Sequence, residues 1–350
     1  MLIKKYLINK SLNNINYNLS YDFISSCIGI NAIECYPLKD GFHIIDENKK
    51  NYILVKVLKE ELVKYNDVFN ILDNFKNNGI NVSQMYSKDE IYFYDSINNE
   101  YYIVFDLNRG VYKKWSELEF DSIEIGLNRF YKASKNILKN LYSFNLKEDV
   151  NLLTIGNEIK LIDESLGFIN NIGKVISIKE NRSLEDILFE ENKNYIENNL
   201  LEAREFFSSK SFKDYCEDCE NIRFINGNLS NKSFLFNDNN EFLILNFKDS
   251  SIDLFVKDIA ILIYRSISYV DNLSLSNFIK SILNEFKVDK LFNINIIINY
   301  LKIYDGVLKW FYNRYIQDQI YKNRSVEDKI KNIELYKEKK QNFIENYLCK

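Results

Sequence analysis

Residues 226–260 read NGNLSNKSFLFNDNNEFLILNFKDSSIDLFVKDIA, and this stretch decides the fold. Two short apolar runs in it, Phe234–Phe236 and Phe242–Leu245, are joined by the polar residues Asn237–Asn240. Such a pair of runs with a polar connection predicts a small β-hairpin. A loop rich in amides comes before the hairpin, and the triplet Asn246-Phe247-Lys248 follows it. The stretch therefore predicts two polar loops at the two ends of a short hairpin.

The first third of the chain predicts a β-rich unit with one inserted helix. Runs rich in β-branched and aromatic residues predict strands, and apolar residues at three- and four-residue spacing predict a helix. Asn78-Gly79 predicts the end of that helix. The predicted elements are strands Ile30–Pro37, Phe42–Ile45 and Tyr52–Val57, a helix over 61–76, and a hairpin of Ile91–Tyr94 with Tyr101–Phe105.

The rest of the chain is predicted to be mainly helical. Ser183 and Asp186 are spaced like a capping box at the start of one of these helices. A weakly alternating segment, residues 150–180, is instead interpreted as a hairpin. The predicted helices cover 118–142, 184–208, 254–268, 275–286, 293–304, 306–320 and 326–347. The predicted organisation is an N-terminal segment (1–29), an N-lobe (30–108) and a helical C-lobe (109–350).

This order of elements resembles the protein-kinase-like fold, and local motifs favour one branch of it. Asn226–Leu235 resembles the His-Gly-Asp-x-x-x-x-Asn loop of aminoglycoside-phosphotransferase-like kinases, and Asn246-Phe247-Lys248 lies where that group has Asp-Phe-Asp. Asp253–Ala260 resembles the Asp-Leu-Pro-Val-Arg-Asp-Leu-Ala run of CotS-type spore-coat proteins. Leu127–Ser134 resembles the Phe-His-Lys-Ala-Ser helix of the same family, and Phe189–Phe212 resembles the long charged helix that precedes its catalytic loop. The resemblance implies an α+β, bilobal protein-kinase-like fold, with a small β-rich N-lobe, a larger mainly α-helical C-lobe and a degenerate catalytic loop at 226–248.

The resemblance also implies that the residues of phosphoryl transfer are missing. Such chemistry needs a carboxylate to orient or deprotonate the acceptor and oxygen ligands for Mg²⁺. Asn226 and Asn228 stand where the family has the histidine and the catalytic aspartate, and an amide cannot act as a base. The metal-binding asparagine and aspartate are replaced by Ser233 and Asn246. We therefore expect no metal site and no active catalytic residue.

Three further residues have roles only if the resemblance holds. Lys56 would be the lysine that binds the nucleotide phosphates, with Asp73 as its acidic partner, although a strand lysine pointing to solvent is an equal alternative. Lys248 stands in place of the second acid of the Asp-Phe-Asp triplet. Its positive charge leaves open weak, Mg²⁺-independent ATP binding. The Lys39-Asp40-Gly41 turn has a single glycine, however, and a glycine-rich loop that binds phosphate through its backbone N–H groups needs several.

Asp253 and Asp258 are expected to be structural. In the family an aspartate at the position of Asp258 accepts hydrogen bonds from the backbone of the catalytic loop. Keeping this residue while losing the charge at Asn228 would preserve the shape of the loop rather than its chemistry. The chain is rich in asparagine throughout, so chance occurrence of Asn226, Asn228 and Asn246 is the alternative to kinase ancestry.

Composition and charge exclude several classes of partner. There are 46 Lys and Arg residues against 50 Asp and Glu, a formal net charge of −4, so no basic surface for nucleic acid is expected. The apolar runs are far too short to span a membrane, and the N-terminus does not look like a signal peptide. We expect synthesis in the cytoplasm without membrane insertion.

The resulting hypothesis is a spore-coat-associated pseudokinase that acts as a structural scaffold, with other spore-coat proteins as partners and the spore coat as its location. Two alternatives from other classes stay open. One is an active, atypical kinase for a small molecule or a protein, and the other is a regulatory pseudokinase that senses nucleotide.

Overall fold

The computed structural model describes residues 23–38, 41–87, 91–107, 112–118, 120–142, 152–236, 242–286, 289–315 and 326–348. The chain divides into two compact units. Unit 1 contains the described residues up to Lys113 together with those in 132–153 and 231–250. Unit 2 contains those in 114–131, 154–230 and 251–350.

Unit 1 is built on an antiparallel sheet. In the described part of the chain six strands join it, in the order β1-β2-β3-β6-β4, with β5 also paired to β6. Their bounds are β1 Ala32–Leu38, β2 Gly41–Asp46, β3 Asn51–Val57, β4 Gln84–Tyr86, β5 Tyr92–Asp95 and β6 Glu100–Leu107. The five predicted strands are confirmed, and β4 was missed because it is only three residues long. The predicted turn residues Lys39 and Asp40 lie outside the described residues.

The two faces of this sheet pack against different neighbours. Tyr52 and Leu54 of β3 belong to an apolar cluster with Phe42, Ile44, Tyr102 and Val104, onto which the short helical turn Phe23–Ile28 also packs. Ile53 points the other way and packs against Leu107, Leu235, Leu243 and Leu245. Because side chains alternate along a strand, every residue of β3 is assigned to one of these two faces.

One helix and one hairpin complete unit 1. Helix α1, Leu62–Asn77, buries Tyr65, Val68, Ile71, Leu72 and Phe75, and it ends at Asn78 and Gly79, the latter with φ of +71°. The predicted helix and its stop are confirmed. The hairpin strands β8 and β9, Phe234–Phe236 and Phe242–Ile244, are also confirmed, while the connecting residues 237–241 lie outside the described residues.

Unit 2 is mainly helical. Helix α2 spans Phe120–Tyr142 and contributes to both units. The others are α3 Glu158–Ser177, α4 Leu184–Ser208, α5 Lys210–Glu217, α6 Phe255–Ser266, α7 Asn272–Glu285, α8 Lys290–Ile303, α9 Gly306–Tyr315 and α10 Val326–Phe343. The capping box at Ser183 and Asp186 is confirmed, with the Asp186 N–H donating to Ser183 Oγ. No helix among the described residues is long and apolar enough to cross a membrane.

One prediction for unit 2 needs correction, and two of its strands were not predicted. The hairpin expected over 150–180 is wrong, because α3 occupies most of that range and buries Ile162, Ile169, Ile172 and Ile176 on one helical face. Two fully buried strands, β7 Ile222–Ile225 and β10 Ser251–Leu254, pair antiparallel and were missed. Each is four residues long with all its side chains buried, so neither shows the alternation that predicts a strand.

Candidate functional site

The loop that follows β7 in unit 2 is held by one buried carboxylate. Asp258 in the first turn of α6 is fully buried and accepts hydrogen bonds from the backbone N–H groups of Asn226 (2.8 Å) and Gly227 (2.7 Å). The Tyr131 hydroxyl donates to the same carboxylate at 3.1 Å. Burial raises the pKa of Asp258 to about 6 against the opposing effect of these hydrogen bonds. The backbone contacts expected for Asp258 are therefore present, and they fix the start of the loop.

Asn228 is held in this loop by hydrogen bonds to neighbouring residues. Its N–H donates to Asn226 Oδ1 at 3.3 Å, and its own Oδ1 accepts a hydrogen bond from the guanidinium of Arg265 in α6. Arg265 was not predicted from the sequence, because it lies 37 positions from Asn228 and no motif links the two residues. An amide that accepts from a guanidinium can hold the loop in shape, but it has no basic atom to take a proton.

Asp253, the other predicted structural carboxylate, lies at the end of β10 and is fully buried. It accepts from Thr154 Oγ1 at 2.5 Å, from Lys257 Nζ at 2.5 Å and from the N–H of Leu254 at 2.7 Å. Burial lowers the pKa of Lys257, but the charge of Asp253 outweighs this and the net direction is upward. Because the charges of Asp253 and Lys257 are paired, the ion pair is tolerated in the interior of unit 2, where it links β10 to α6.

The second polar loop belongs to unit 1. Asn246 adopts a left-handed conformation (φ 63°, ψ 62°), which asparagine tolerates better than most residues. Phe247 is buried, and its carbonyl accepts from Ser250 Oγ at 2.7 Å. Ser233, directly before β8, is buried and its carbonyl accepts from the N–H of Leu245 at 2.9 Å. The loop is thus anchored on both sides of Asn246.

The Lys248 carbonyl is a junction between this loop and helix α1. It accepts hydrogen bonds from Lys64 Nζ at 3.1 Å and from the Tyr65 hydroxyl at 3.2 Å. Burial lowers the pKa of Lys64, Asp249 and Glu61 raise it, and Lys248 lowers it, with a net downward shift. Lys64 was not singled out from the sequence, since a lysine in the first turn of a helix gives no signal by itself.

Lys56 and Asp73 do not form the predicted pair. Lys56 forms an ion pair with Glu100 of β6, so the prediction of Asp73 as its partner is wrong. Asp73 is exposed and accepts from Nδ2 of Asn77 at 3.1 Å. The reason is register: Lys56 lies opposite Tyr102, on the face of the sheet with Leu54, and its side chain points away from Ile53 and the leucines of β8 and β9.

No group of three or more His, Cys, Asp or Glu side chains among the described residues could hold a metal ion. Relative to an Asp-Phe-Asp triplet, Asn246 removes one negative charge and Lys248 replaces another by a positive one. The loop therefore differs by three positive charges from the pattern that it resembles. A divalent cation is therefore disfavoured relative to that pattern.

Comparison with known proteins gives the fold. No known family profile and no curated protein matches the chain. Among solved structures, an aminoglycoside phosphotransferase from Alicyclobacillus acidocaldarius matches with a TM-score of 0.67 and 13% identity, over 95% of this chain and 97% of that one. Amicoumacin kinase hAmiN, in complex with AMP-PNP, Ca²⁺ and Ami, matches with a TM-score of 0.58 and 12% identity, over 97% and 93%. The AMP-bound spectinomycin phosphotransferase APH(9)-Ia also gives 0.58, with 11% identity and 98% of both chains covered.

These similarities confirm the predicted fold class. The chain has the α+β, protein-kinase-like fold that aminoglycoside phosphotransferases and related kinases share. At 11–13% identity the likeness concerns the fold alone, and one fold serves many functions. What the chain does has to be argued from its own loops.

Proposed function

We propose that this chain is a kinase-like protein that has lost phosphotransferase chemistry and acts as a structural scaffold. The observation that carries the proposal is the state of Asn228. Its side chain has no basic atom, and it is engaged by Arg265 in a loop that Asp258 holds in place. Losing a general base costs about 10²–10⁴ in rate. Asn246 stands in place of the metal-binding aspartate and Lys248 brings a positive charge beside it, so both residues disfavour Mg²⁺.

Turnover of ATP tests this proposal. We expect the purified chain to release no phosphate above a no-protein blank in the presence of Mg²⁺, Mn²⁺ or Ca²⁺. Steady, metal-dependent turnover would refute it and support the alternative of an active, atypical kinase. The positive control is an authentic aminoglycoside phosphotransferase measured in the same assay.

The scaffold function is proposed to be in the spore coat, with other coat proteins as partners. It is supported by the resemblance of Asp253–Ala260, Leu127–Ser134 and Phe189–Phe212 to CotS-type proteins. The test is extraction of purified spores of the source organism, with immunoblotting for this chain in coat and core fractions. Enrichment in the coat fraction is expected, and confinement to the mother-cell cytoplasm would contradict the proposal.

We infer a second candidate function, nucleotide binding without catalysis, from the charge of Lys248. Lys248 adds a positive charge where the resembled triplet has its second acid. Calorimetric titration with ATP, with and without Mg²⁺, tests this candidate. Binding in the absence of metal would support it, and no binding in either condition would favour a scaffold alone.

A further inference from the structure

Three tyrosines lie together on one face of the unit 1 sheet, where β5 pairs with β6. Phe93 of β5 and Tyr102 of β6 belong to the apolar cluster on the other face. Because side chains alternate along a strand, Tyr92, Tyr94 and Tyr101 lie on the face opposite that cluster. Tyr94 is 43% exposed, and Tyr92 and Tyr101 are half-buried. The three rings therefore form a cluster at the surface of unit 1.

Tyr94 and Tyr101 make the closer of two ring contacts in this cluster. They are direct cross-strand partners, and their ring centroids are 4.8 Å apart at an interplanar angle of 34°. Aromatic pairs in proteins usually lie about 4.5–7 Å apart, so these two rings are near the lower limit. Tyr92 lies diagonally from Tyr101, at 5.8 Å and 60°. The shorter distance and smaller tilt mean that a modest rotation about side-chain bonds brings ring carbons of Tyr94 and Tyr101 together.

The turn after β5 holds Tyr94 in this position. The Tyr94 hydroxyl donates to Asn99 Oδ1 at 2.9 Å. The buried Asp95 carboxylate accepts hydrogen bonds from the N–H of Ile97 at 3.0 Å and from Asn98 Nδ2 at 2.7 Å, and these contacts fix the turn. Two phenols held side by side lose little conformational freedom when they are joined, which favours reaction between them over reaction with a more distant group.

We propose that Tyr94 and Tyr101 form an oxidative modification site, at which an enzyme of the haem-peroxidase class joins the two rings as dityrosine with hydrogen peroxide as the oxidant. Each phenol gives up one electron and its hydroxyl proton, and the two phenoxyl radicals couple through a ring carbon ortho to each oxygen. The hydrogen on each coupled carbon then moves to the oxygen and restores the hydroxyl group. Two tyrosines and one hydrogen peroxide give one dityrosine and two waters, and cleavage of the peroxide oxygen–oxygen bond takes up the two electrons.

The cross-link ties β5 covalently to the rest of the sheet. In the described sheet β5 pairs with β6 alone, so its backbone hydrogen bonds go to a single neighbouring strand. A bond between Tyr94 and Tyr101 secures this edge through the side chains as well. The site involves neither of the two polar loops, and the inference is independent of the scaffold and nucleotide-binding proposals.

Treatment of the full chain with a haem peroxidase and hydrogen peroxide, followed by mass spectrometry, tests the proposal. Proteolysis after Glu100 separates Tyr94 from Tyr101, so the two peptides stay together only if the rings are linked. We expect the dominant cross-link in the monomer to join these peptides with the loss of two hydrogens. The linked peptide should show dityrosine fluorescence and should resist reducing agents.

Three variants identify the residues that react. Tyr94→Phe and Tyr101→Phe keep the rings and their packing but lack the phenol, so each should abolish the linked peptide and its fluorescence. Tyr92→Phe is the matched control, because it removes a phenol from the same strand and the same face of the sheet. It should leave the cross-link intact.

Three outcomes would overturn the proposal. The first is the absence of dityrosine from the oxidised monomer. The second is loss of the cross-link in Tyr92→Phe, since this would mean that Tyr92 and not Tyr94 couples to Tyr101. The third is dityrosine in covalent dimers alone, since this would show reaction between exposed tyrosines of different molecules, such as Tyr269, which is 67% exposed.

Discussion

Replacement of Asn228 by aspartate is the most informative single change in this protein. From the sequence pattern that the loop resembles, this change would be expected to supply a catalytic base. The structure predicts a different result, because the side-chain oxygen of residue 228 is already bound to Arg265. The new carboxylate would form an ion pair with that guanidinium and stabilise unit 2 rather than create a free base.

The size of the effect follows from the half-buried position of Asn228. A charge pair at 4 Å near a protein surface is worth about 4 kcal/mol, and part of this is offset by desolvation of the carboxylate. The net gain in the free energy of unfolding is expected to be about 1–2 kcal/mol, the difference between a charge-assisted and a doubly charged hydrogen bond. The gain should disappear in acid, where the carboxyl group is protonated and neutral.

A double-mutant cycle measures this gain. Urea unfolding of the wild type, Asn228→Asp, Arg265→Gln and the double variant gives the coupling between the two positions. The stabilisation by Asn228→Asp should be lost in the Arg265→Gln background. A similar gain in both backgrounds, or a destabilisation that Arg265→Gln does not change, would refute the contact. The companion variant Asn228→Asp with Asn246→Asp should remain without ATP turnover as long as Arg265 is present.

Three further predictions concern stability and are checked by urea unfolding. Gly41→Ala should cost about 3 kcal/mol or more, since its Cβ would lie 1.9 Å from the Leu54 carbonyl oxygen, and the β2–β3 pairing would have to open. Lys340→Met should cost about 3–5 kcal/mol because it leaves the buried carboxylate of Asp305 unpaired, whereas a cost below 1 kcal/mol would contradict a buried pair. Burial raises the pKa of Asp258 from 3.8 to about 6, so the folded state binds the carboxyl proton more tightly than the unfolded state does. The stability that this proton contributes is present below pH 3.8 and is lost as the pH rises to about 6. The stability difference between wild type and Asp258→Asn should accordingly fall by about 3 kcal/mol across that range, and a flat difference would refute the shift.

Much of the fold could be predicted because its signals are local. The strands β1–β3, helix α1 and the β8–β9 hairpin follow from the spacing of apolar residues and from turn residues such as Gly79. The errors fall where that spacing is uninformative. Helix α3 carries a segment that alternates weakly in sequence, and β7 and β10 are too short and too fully buried to alternate. Their pairing depends on residues 26 or more positions apart, which no local pattern contains.

The sequence by itself determined which chemical groups the loops contain. Amides at Asn228 and Asn246 and a lysine at Lys248 are facts of the chain, and set against the kinase motifs that they resemble they predict that a base and a metal carboxylate are missing. The expectation that Asp258 holds the catalytic loop also came from the sequence, through its resemblance to a family.

Only the tertiary structure decided which groups meet. Register placed Lys56 beside Glu100 instead of Asp73, and packing brought Arg265 to Asn228 and Lys64 to the Lys248 carbonyl. The last two residues are 184 positions apart. The physical reason is that a hydrogen bond or an ion pair depends on distance in space, which long-range packing sets and which sequence separation does not.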